Sequence, residues 1–388
     1  MHRQADVVLL AGYFARCPLA GYGWQVLHYM LGLRQLGFDP YFVESTEYVS
    51  ECFDPHSRQM TDTCAPGVTL LRAFFAQHGL ADRWTVFDAA HGRRYGLGEE
   101  HLRQLCAEAR LAISLAAVER LPPTPKAVRV LIDLDPGYTQ IRLARGDTAL
   151  ARLVAEHHRH FTFGEHIGRS GCAVPTAGIE WLPTRQPIVT ELWQEASPPS
   201  TSAPFTTVGR WHEMRRSLEW EGQRFGWSKR NEWRRFVELP RLTGARFVLA
   251  MDADKHPDDL AWLASHGWEV VDPLDISIDP QRYRQWIVHS LGEFTSAKDL
   301  NIQLRTGWFS DRSACYLAAG RPVVTQPTGF ETILPVDEGL FAVADATEAA
   351  AAVASIRSDA AAHSAAARRI AQQYFEARTV LGDLLRFL

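Results

Sequence analysis

RTGWFSDRSACYLAAGRPVVTQPTGFE, running from Arg305 to Glu331, packs two glycine turns, a helix and a strand into one short segment. Gly307 breaks the chain before Ser310, a good N-cap, and Asp311 falls in the first turn of the helix that follows. Gly320 comes after Ala318 and Ala319, where a left-handed residue is expected to end that helix. Pro322 to Gln326 then reads as a short buried strand, and Gly329 opens a second loop. A helix begun this way turns free backbone N–H groups and its positive end toward the RTGW loop, which suits a diphosphate.

The order AAGRPVV, then TGFE, then GLFAV resembles the C-terminal domain of GT-B glycosyltransferases. In that family an alanine-rich helix, a G-x-P-V-V strand and a Gly-Gly-x-x-Glu-type loop bind a nucleotide sugar. The resemblance runs from about Phe205 to the C-terminus, and GWFSDRSACYLAAGRPVV is also similar to a bacterial subgroup of these proteins. It implies an α/β chain of two Rossmann-like domains with parallel sheets and a cleft between them. The acceptor-binding domain would be 1–194, the linker 195–204 and the nucleotide-sugar-binding domain 205–388. Many retaining members place a Glu, seven residues and a second Glu before the G-x-P-V-V strand. Here those positions are Gly307 and Cys315, a departure that leans toward an inverting reaction.

Composition permits this and narrows the alternatives. A chain of 388 residues with 46% hydrophobic and 22% charged residues has room for two globular cores. A net charge of -4 gives no reason to expect nucleic acid as the main partner. Cysteines 17, 52, 64, 106, 172 and 315 show neither C-x-x-C nor zinc-finger spacing, and read as reduced thiols of a cytoplasmic protein. MHRQADVVLLAGYF carries one short apolar run, better explained as a first strand than as a signal peptide, and no run is long enough for a membrane span.

Alternation of strand and helix supports a parallel sheet in each half. Strands are expected at Asp6 to Gly12, Phe38 to Glu44, Trp84 to Phe87, Leu111 to Leu115, Val128 to Leu134 and His160 to Phe163, with a helix over Tyr22 to Leu36. After QEASPPSTSAP, a linker by composition, strands recur at Phe205 to Val208, Arg246 to Met251, Glu269 to Val271 and Glu293 to Ser296. Helices are expected at Asn231 to Leu239, Asp258 to Ser265 and Pro280 to His289. The alanine-rich end from about Asp359 is helical, and its tail LGDLLRFL either returns onto the first domain or packs on its own.

Ligands of parallel sheets sit beyond the carboxyl ends of strands, which selects the candidates. For the donor these are Arg210, Lys229, Lys298, Arg305, Gly307, Ser310, Asp311, Arg312, Thr328, Gly329, Phe330 and Glu331. Lys229 and Lys298 are the cations expected at the diphosphate, where an ammonium can neutralise the leaving group without a metal. Either one can equally be a solvated lysine, and Glu331 can be a first-turn acid binding free N–H groups. In IDLDPGYTQ, Asp133 and Asp135 point to one face at a strand end. Asp135 is a candidate to take the acceptor's proton, with Glu165 and His166 of FTFGEHIG as alternatives. Turn capping is the plainer role for the aspartates, and a structural role for the histidine. HHRH at 157–160 has metal-ligand residue types but poor geometry for one site.

Gly21, Gly23 and Trp24 in LAGYGWQV are expected to form a loop facing the acceptor or donor sugar, together with Asp133. Gly21-x-Gly23 with Glu44 imitates a dinucleotide fingerprint, but Val26 replaces the third glycine. The expected activity is therefore transfer of a sugar from a nucleoside diphosphate, UDP, GDP or dTDP, to an unidentified small-molecule, glycan or peptide acceptor, with no metal or other cofactor. A nucleotide-sugar epimerase and a non-catalytic nucleotide-sugar-binding protein are the alternatives.

Overall fold

The structure, a computed structural model, describes residues 5–47, 50–118, 120–194, 200–213 and 216–388. Residues 195–199 of the expected linker lie outside the described residues. The first half contains β1 (Val7–Ala11), β2 (Asp39–Ser45), β3 (Cys52–Asp54), β4 (Gln59–Thr61), β5 (Trp84–Asp88), β6 (Arg93–Gly96), β7 (Leu111–Leu115), β8 (Val128–Asp133), β9 (Arg159–Thr162) and β10 (Trp181–Pro183). Eight of these form one sheet in the order β10-β9-β8-β7-β1-β2-β5-β6, parallel except for the β5–β6 edge. β1 is buried along its whole length because both neighbours and both faces are covered, as its unbroken VVLLA run requires.

The second half contains β11 (Phe205–Gly209), β12 (Leu218–Trp220), β13 (Gln223–Phe225), β14 (Phe247–Met251), β15 (Trp268–Val271), β16 (Gly292–Phe294), β17 (Val323–Thr325) and β18 (Leu340–Ala342). Six make a wholly parallel sheet, β15-β14-β11-β16-β17-β18. Its core is aromatic: Phe205 stacks on Phe247 at 5.4 Å, and Trp233, Trp268 and Phe294 meet edge to face or tilted around them.

Differences from the expected elements have local causes. The helix expected over Asn231 to Leu239 is broken into Arg230–Trp233, a 3-10 turn Arg234–Phe236 and Leu239–Thr243, the last restarted by Pro240 in its first turn. The hairpin of β12 and β13 was not expected; its turn is Glu221-Gly222, both at positive φ, 50° and 77°. Gly21 and Gly23 do not lie in a loop, since the first helix already starts at Ala20 and runs Ala20–Gln35. Gly23 is there for packing, because a Cβ would fall 2.6 Å from Phe14 Cζ.

Chain ends and halves interlock. The helix Ala377–Leu385 lies against the first helix, where a Cβ on Gly32 would come within 2.7 Å of Leu381 Cδ1. A bridge between Ile188 and Glu376 joins the same regions. The carboxyl ends of the two sheets meet, with Asp135 after β8 bonded to Lys298 after β16. Among the described residues no helix is long and apolar enough to cross a membrane.

Candidate functional site

Where β16 ends, Thr295, Ser296 and Ala297 form one wall of a cavity of about 10 Å³. The helix Asp311–Ala318 closes it with its N-terminus, through Phe309, Ser310, Arg312 and Ser313, and Thr328 and Phe330 come from the loop after β17. That is room for about one water, against ~300 to 1,000 Å³ for whole-ligand clefts, so a charged group of a ligand enters only as the walls part. Gln326 braces it: its Oε1 accepts the Ala297 amide at 3.1 Å and its Nε2 donates to Glu232 at 2.6 Å. That second bond ties the wall to the helix Arg230–Trp233, which Lys229 precedes.

Lys229 is the cation of this cavity. Its Nζ donates to Thr295 Oγ1 at 3.4 Å, and no carboxylate stands within ion-pair distance among the described residues. Burial, then repulsion from Arg312, push its ammonium well below the usual lysine range, while Glu293 pulls the other way. Two hydroxyls beside it, Ser296 Oγ and Ser313 Oγ, are buried and have no hydrogen-bond partner among the described residues. A buried donor without a partner costs free energy, so a convergent set marks a place built to receive acceptors.

The other donor candidates are distributed differently. Arg312 borders the cavity but is spent inward, on Glu293, on the Val208 carbonyl at 2.6 Å and on Thr295 Oγ1 at 3.0 Å. Ser310 occupies the N-cap position without a side-chain cap bond and is one of the residues that line the cavity. Asp311 accepts the Arg312 amide at 2.8 Å and the Gln25 side chain at 3.4 Å, and burial pushes its carboxyl up. Thr328 donates to the Trp308 carbonyl, and Phe330 packs on Phe309 at 5.2 Å. Arg210 is exposed and paired with Glu213.

Gly307 and Gly329 have their amides committed, to Thr328 O at 2.8 Å and Glu331 Oε2 at 2.9 Å. The space in front of them holds His166: a Cβ on Gly329 would fall 2.6 Å from its Nδ1, and one on Gly307 2.9 Å from its backbone nitrogen. His166 Nδ1 faces the Arg305 carbonyl and Nε2 the Thr332 hydroxyl, so the ring plugs a notch of the second half. Glu331 secures that notch from behind by pairing with Arg305 at 2.9 Å, and Arg305 itself takes a left-handed backbone, φ 48°. These two glycines form a socket, and their amides are not open to a phosphate.

On the first half, Glu165 is bound by Arg185 at 2.5 Å; burial pushes it up and Arg185 opposes this. Asp133 faces inward, accepting from Thr139 at 2.6 Å, Gln140 at 2.8 Å and Thr162 at 2.8 Å, which corrects its placement on an acceptor face. Trp24 is likewise interior: its Nε1 donates to the Pro280 carbonyl at 2.9 Å and its ring meets Trp193 at 4.8 Å. Glu44 accepts three amides, from Phe14, Ala15 and Arg16, and so closes the turn after β1.

Asp135 sits where the halves join. Lys298 donates to Oδ1 at 3.3 Å and Arg216 to Oδ2 at 3.2 Å. Burial pushes this carboxyl up, but the two cations outweigh it and hold it below the usual carboxylate range. Trp227 completes the group, with the Lys298 ammonium 3.4 Å and the Arg216 guanidinium 4.8 Å from its ring centre. Lys298 thus stands outside the cavity lining, apart from Lys229. Sequence reasoning missed Arg216 and Trp227, which lie outside the strand-end positions used as a guide, and Ser313, one of several serines with nothing local to mark it. No group of three or more His, Cys, Asp or Glu side chains suited to a metal occurs among the described residues.

No family model matches the chain, and no curated protein matches its sequence. Solved structures do match, over nearly their full length. AviGT4, a glycosyltransferase involved in avilamycin A biosynthesis, aligns at 11% identity, covering 98% of this chain and 96% of that one, with a TM-score of 0.56. HepE of Anabaena in complex with UDP-glucose aligns at 13% identity over 98% and 100%, with a TM-score of 0.55. An α-glucosyltransferase in complex with UDP and a 13-mer DNA aligns at 9% identity over 99% of each chain, with a TM-score of 0.60. With two parallel sheets meeting at their carboxyl ends and these neighbours end to end, the chain has the GT-B fold of two Rossmann-like domains.

Proposed function

We propose that this protein is a glycosyltransferase that moves a sugar from a nucleoside-diphosphate donor to an acceptor nucleophile. One observation carries the reading: among the described residues, a half-buried lysine with no carboxylate at ion-pair distance and two serine hydroxyls without a hydrogen-bond partner belong to residues that line one cavity at a helix N-terminus. That set of donors fits the diphosphate. UDP and UDP-glucose, which occupy structural neighbours, are the first donors to try.

In the reaction the bond between the anomeric carbon and the diphosphate oxygen breaks, and its electron pair stays with the diphosphate. Lys229, Ser296, Ser313 and the helix end meet that growing charge, which is the contribution expected of preorganised donors. With Lys229 as counter-charge, the transfer proceeds without a divalent ion and, in this reading, with inversion. The acceptor oxygen attacks the anomeric carbon and gives up its proton. Asp135, beyond β8 where the halves meet, is the first candidate to take it, with Glu165, bound to Arg185, and His166, held in the glycine socket, behind it. While it also binds Lys298 and Arg216, Asp135 is a weak base.

Thermal unfolding with UDP, GDP, dTDP and their sugars, with and without EDTA, tests the donor site. A nucleotide present at about 100 times its Kd stabilises by about 2.7 kcal/mol. One nucleotide should do so regardless of EDTA, and Lys229→Ala should weaken its binding at least about ten-fold. Saturating nucleotides with no effect on the wild type would sink the reading. Isomerised donor in the absence of any acceptor would turn it toward an epimerase.

A further inference from the structure

Lys298 begins immediately after Ala297, a wall residue of the cavity, yet its ammonium is turned away, onto Asp135 and over Trp227. It remains within electrostatic reach of the cavity, since it repels Lys229 and acts on Asp311 at the helix start. Two half-buried ammonium groups therefore flank this wall, and the carboxylate of the opposite half compensates one of them. Asp135 cannot follow a moving partner: its amide is bonded to Asp133 Oδ1 at 3.3 Å, and Asp133 is itself fixed by three side chains. Arg216 is also held, against two neighbouring rings, 4.7 Å from Tyr138 and 4.8 Å from Trp227. Lys298 directly follows a wall residue of the cavity and carries its ammonium on four flexible methylenes, so it is the member of the cluster placed to turn toward the cavity.

We propose that Asp135 is a built-in counter-ion that competes with the donor diphosphate for Lys298. A diphosphate in the cavity brings more than one negative charge against the single charge of Asp135, and draws the ammonium across the wall. Asp135 keeps only Arg216 and becomes a better proton acceptor, so the donor prepares the acceptor side before transfer. Donor entry and release of Asp135 are then two halves of one exchange. This inference rests on the nucleotide-sugar reading of the cavity, and it makes a prediction of opposite sign to that for an ordinary site residue: removing the charge of Asp135 strengthens donor binding.

Isothermal titration of the full chain with the nucleoside diphosphate that stabilises it provides the test. Asp135→Asn should bind about three- to ten-fold tighter than wild type, the range expected when one competing ion pair is removed. Lys298→Gln should bind more weakly, and the gain from Asp135→Asn should shrink when both changes are combined. Equal or weaker binding by Asp135→Asn, with Lys229-dependent binding intact in the wild type, overturns the exchange and leaves the donor site standing. Should Asp135→Asn fail to fold, Lys298→Gln decides alone: unchanged affinity means that Lys298 stays on Asp135. A wild type that binds no nucleoside diphosphate removes the donor reading and the exchange with it.

Discussion

Glu44 gives both carboxylate oxygens to the backbone amides of Phe14, Ala15 and Arg16, and thereby sets the path of the chain as it leaves β1. Glu44→Ala would leave three buried donors unpaired at about 1 to 3 kcal/mol each, so a loss of more than about 3 kcal/mol in urea unfolding is expected. Two buried histidines predict an acid limit. Burial holds His28 down to about 3 and His157 down to about 4, against an ordinary value of 6.5. Both rings are neutral in the fold, so the unfolded chain binds more protons once the pH drops below 6.5. Their stabilisation is complete above that value and is lost as pH falls toward 4 and then 3, at up to about 1.4 kcal/mol per pH unit for each ring. Urea midpoints that stay flat between pH 7 and 5 would contradict this. At this scale the sequence was legible in residue type and blind to partner. Lys229 could be nominated from its place at the start of a helix, whereas the inward turn of Asp133 depends on Thr162, far along the chain. Ser296 and Ser313 matter because nothing nearby bonds them, a property that no local spacing records.

Elements with one dominant cause were readable in advance. Buried strands such as VVLLA and LAISL need only an apolar run bounded by breakers, and they fall where those runs are. Gly320 ends the helix Asp311–Ala318 with φ 68°, as its place after two alanines implied. Short elements with competing causes were not readable. The segment after Arg230 has helical spacing, but Pro240 and the need to seat Trp233 and Phe236 against the second sheet divide it. Helix contacts give this scale its own prediction. Gly32 lies where the first helix meets Ala377 and Leu381, and a Cβ there would be 2.9 Å from Ala377 Cβ. Gly32→Val should push the two helices apart and destabilise by about 1 to 3 kcal/mol, measured by urea unfolding. A neutral result would mean that this contact is slack.

For the whole molecule, contacts that join the halves include the Asp135 charge cluster, the His166 plug, the interior around Trp24 and the docking of Ala377–Leu385 on the first helix. The plug can be tested separately from the chemistry. Gly329 has φ 107° and sits 2.6 Å, measured from an added Cβ, from His166 Nδ1. Gly329→Ala should expel the ring, cost about 1 to 3 kcal/mol through backbone strain and overlap, and enlarge the radius of gyration in solution scattering. An unchanged radius with unchanged stability would rule out the plug as a clasp. The fold class was legible because alternating strands and helices constrain topology strongly, while the way the halves meet depends on pairs such as Asp135 with Lys298 that no local pattern links. The docking of Ala377–Leu385 on the first helix has a consequence for synthesis of the chain. The first helix is synthesised long before the segment that covers Gly32, so this contact closes only after both sheets have been made.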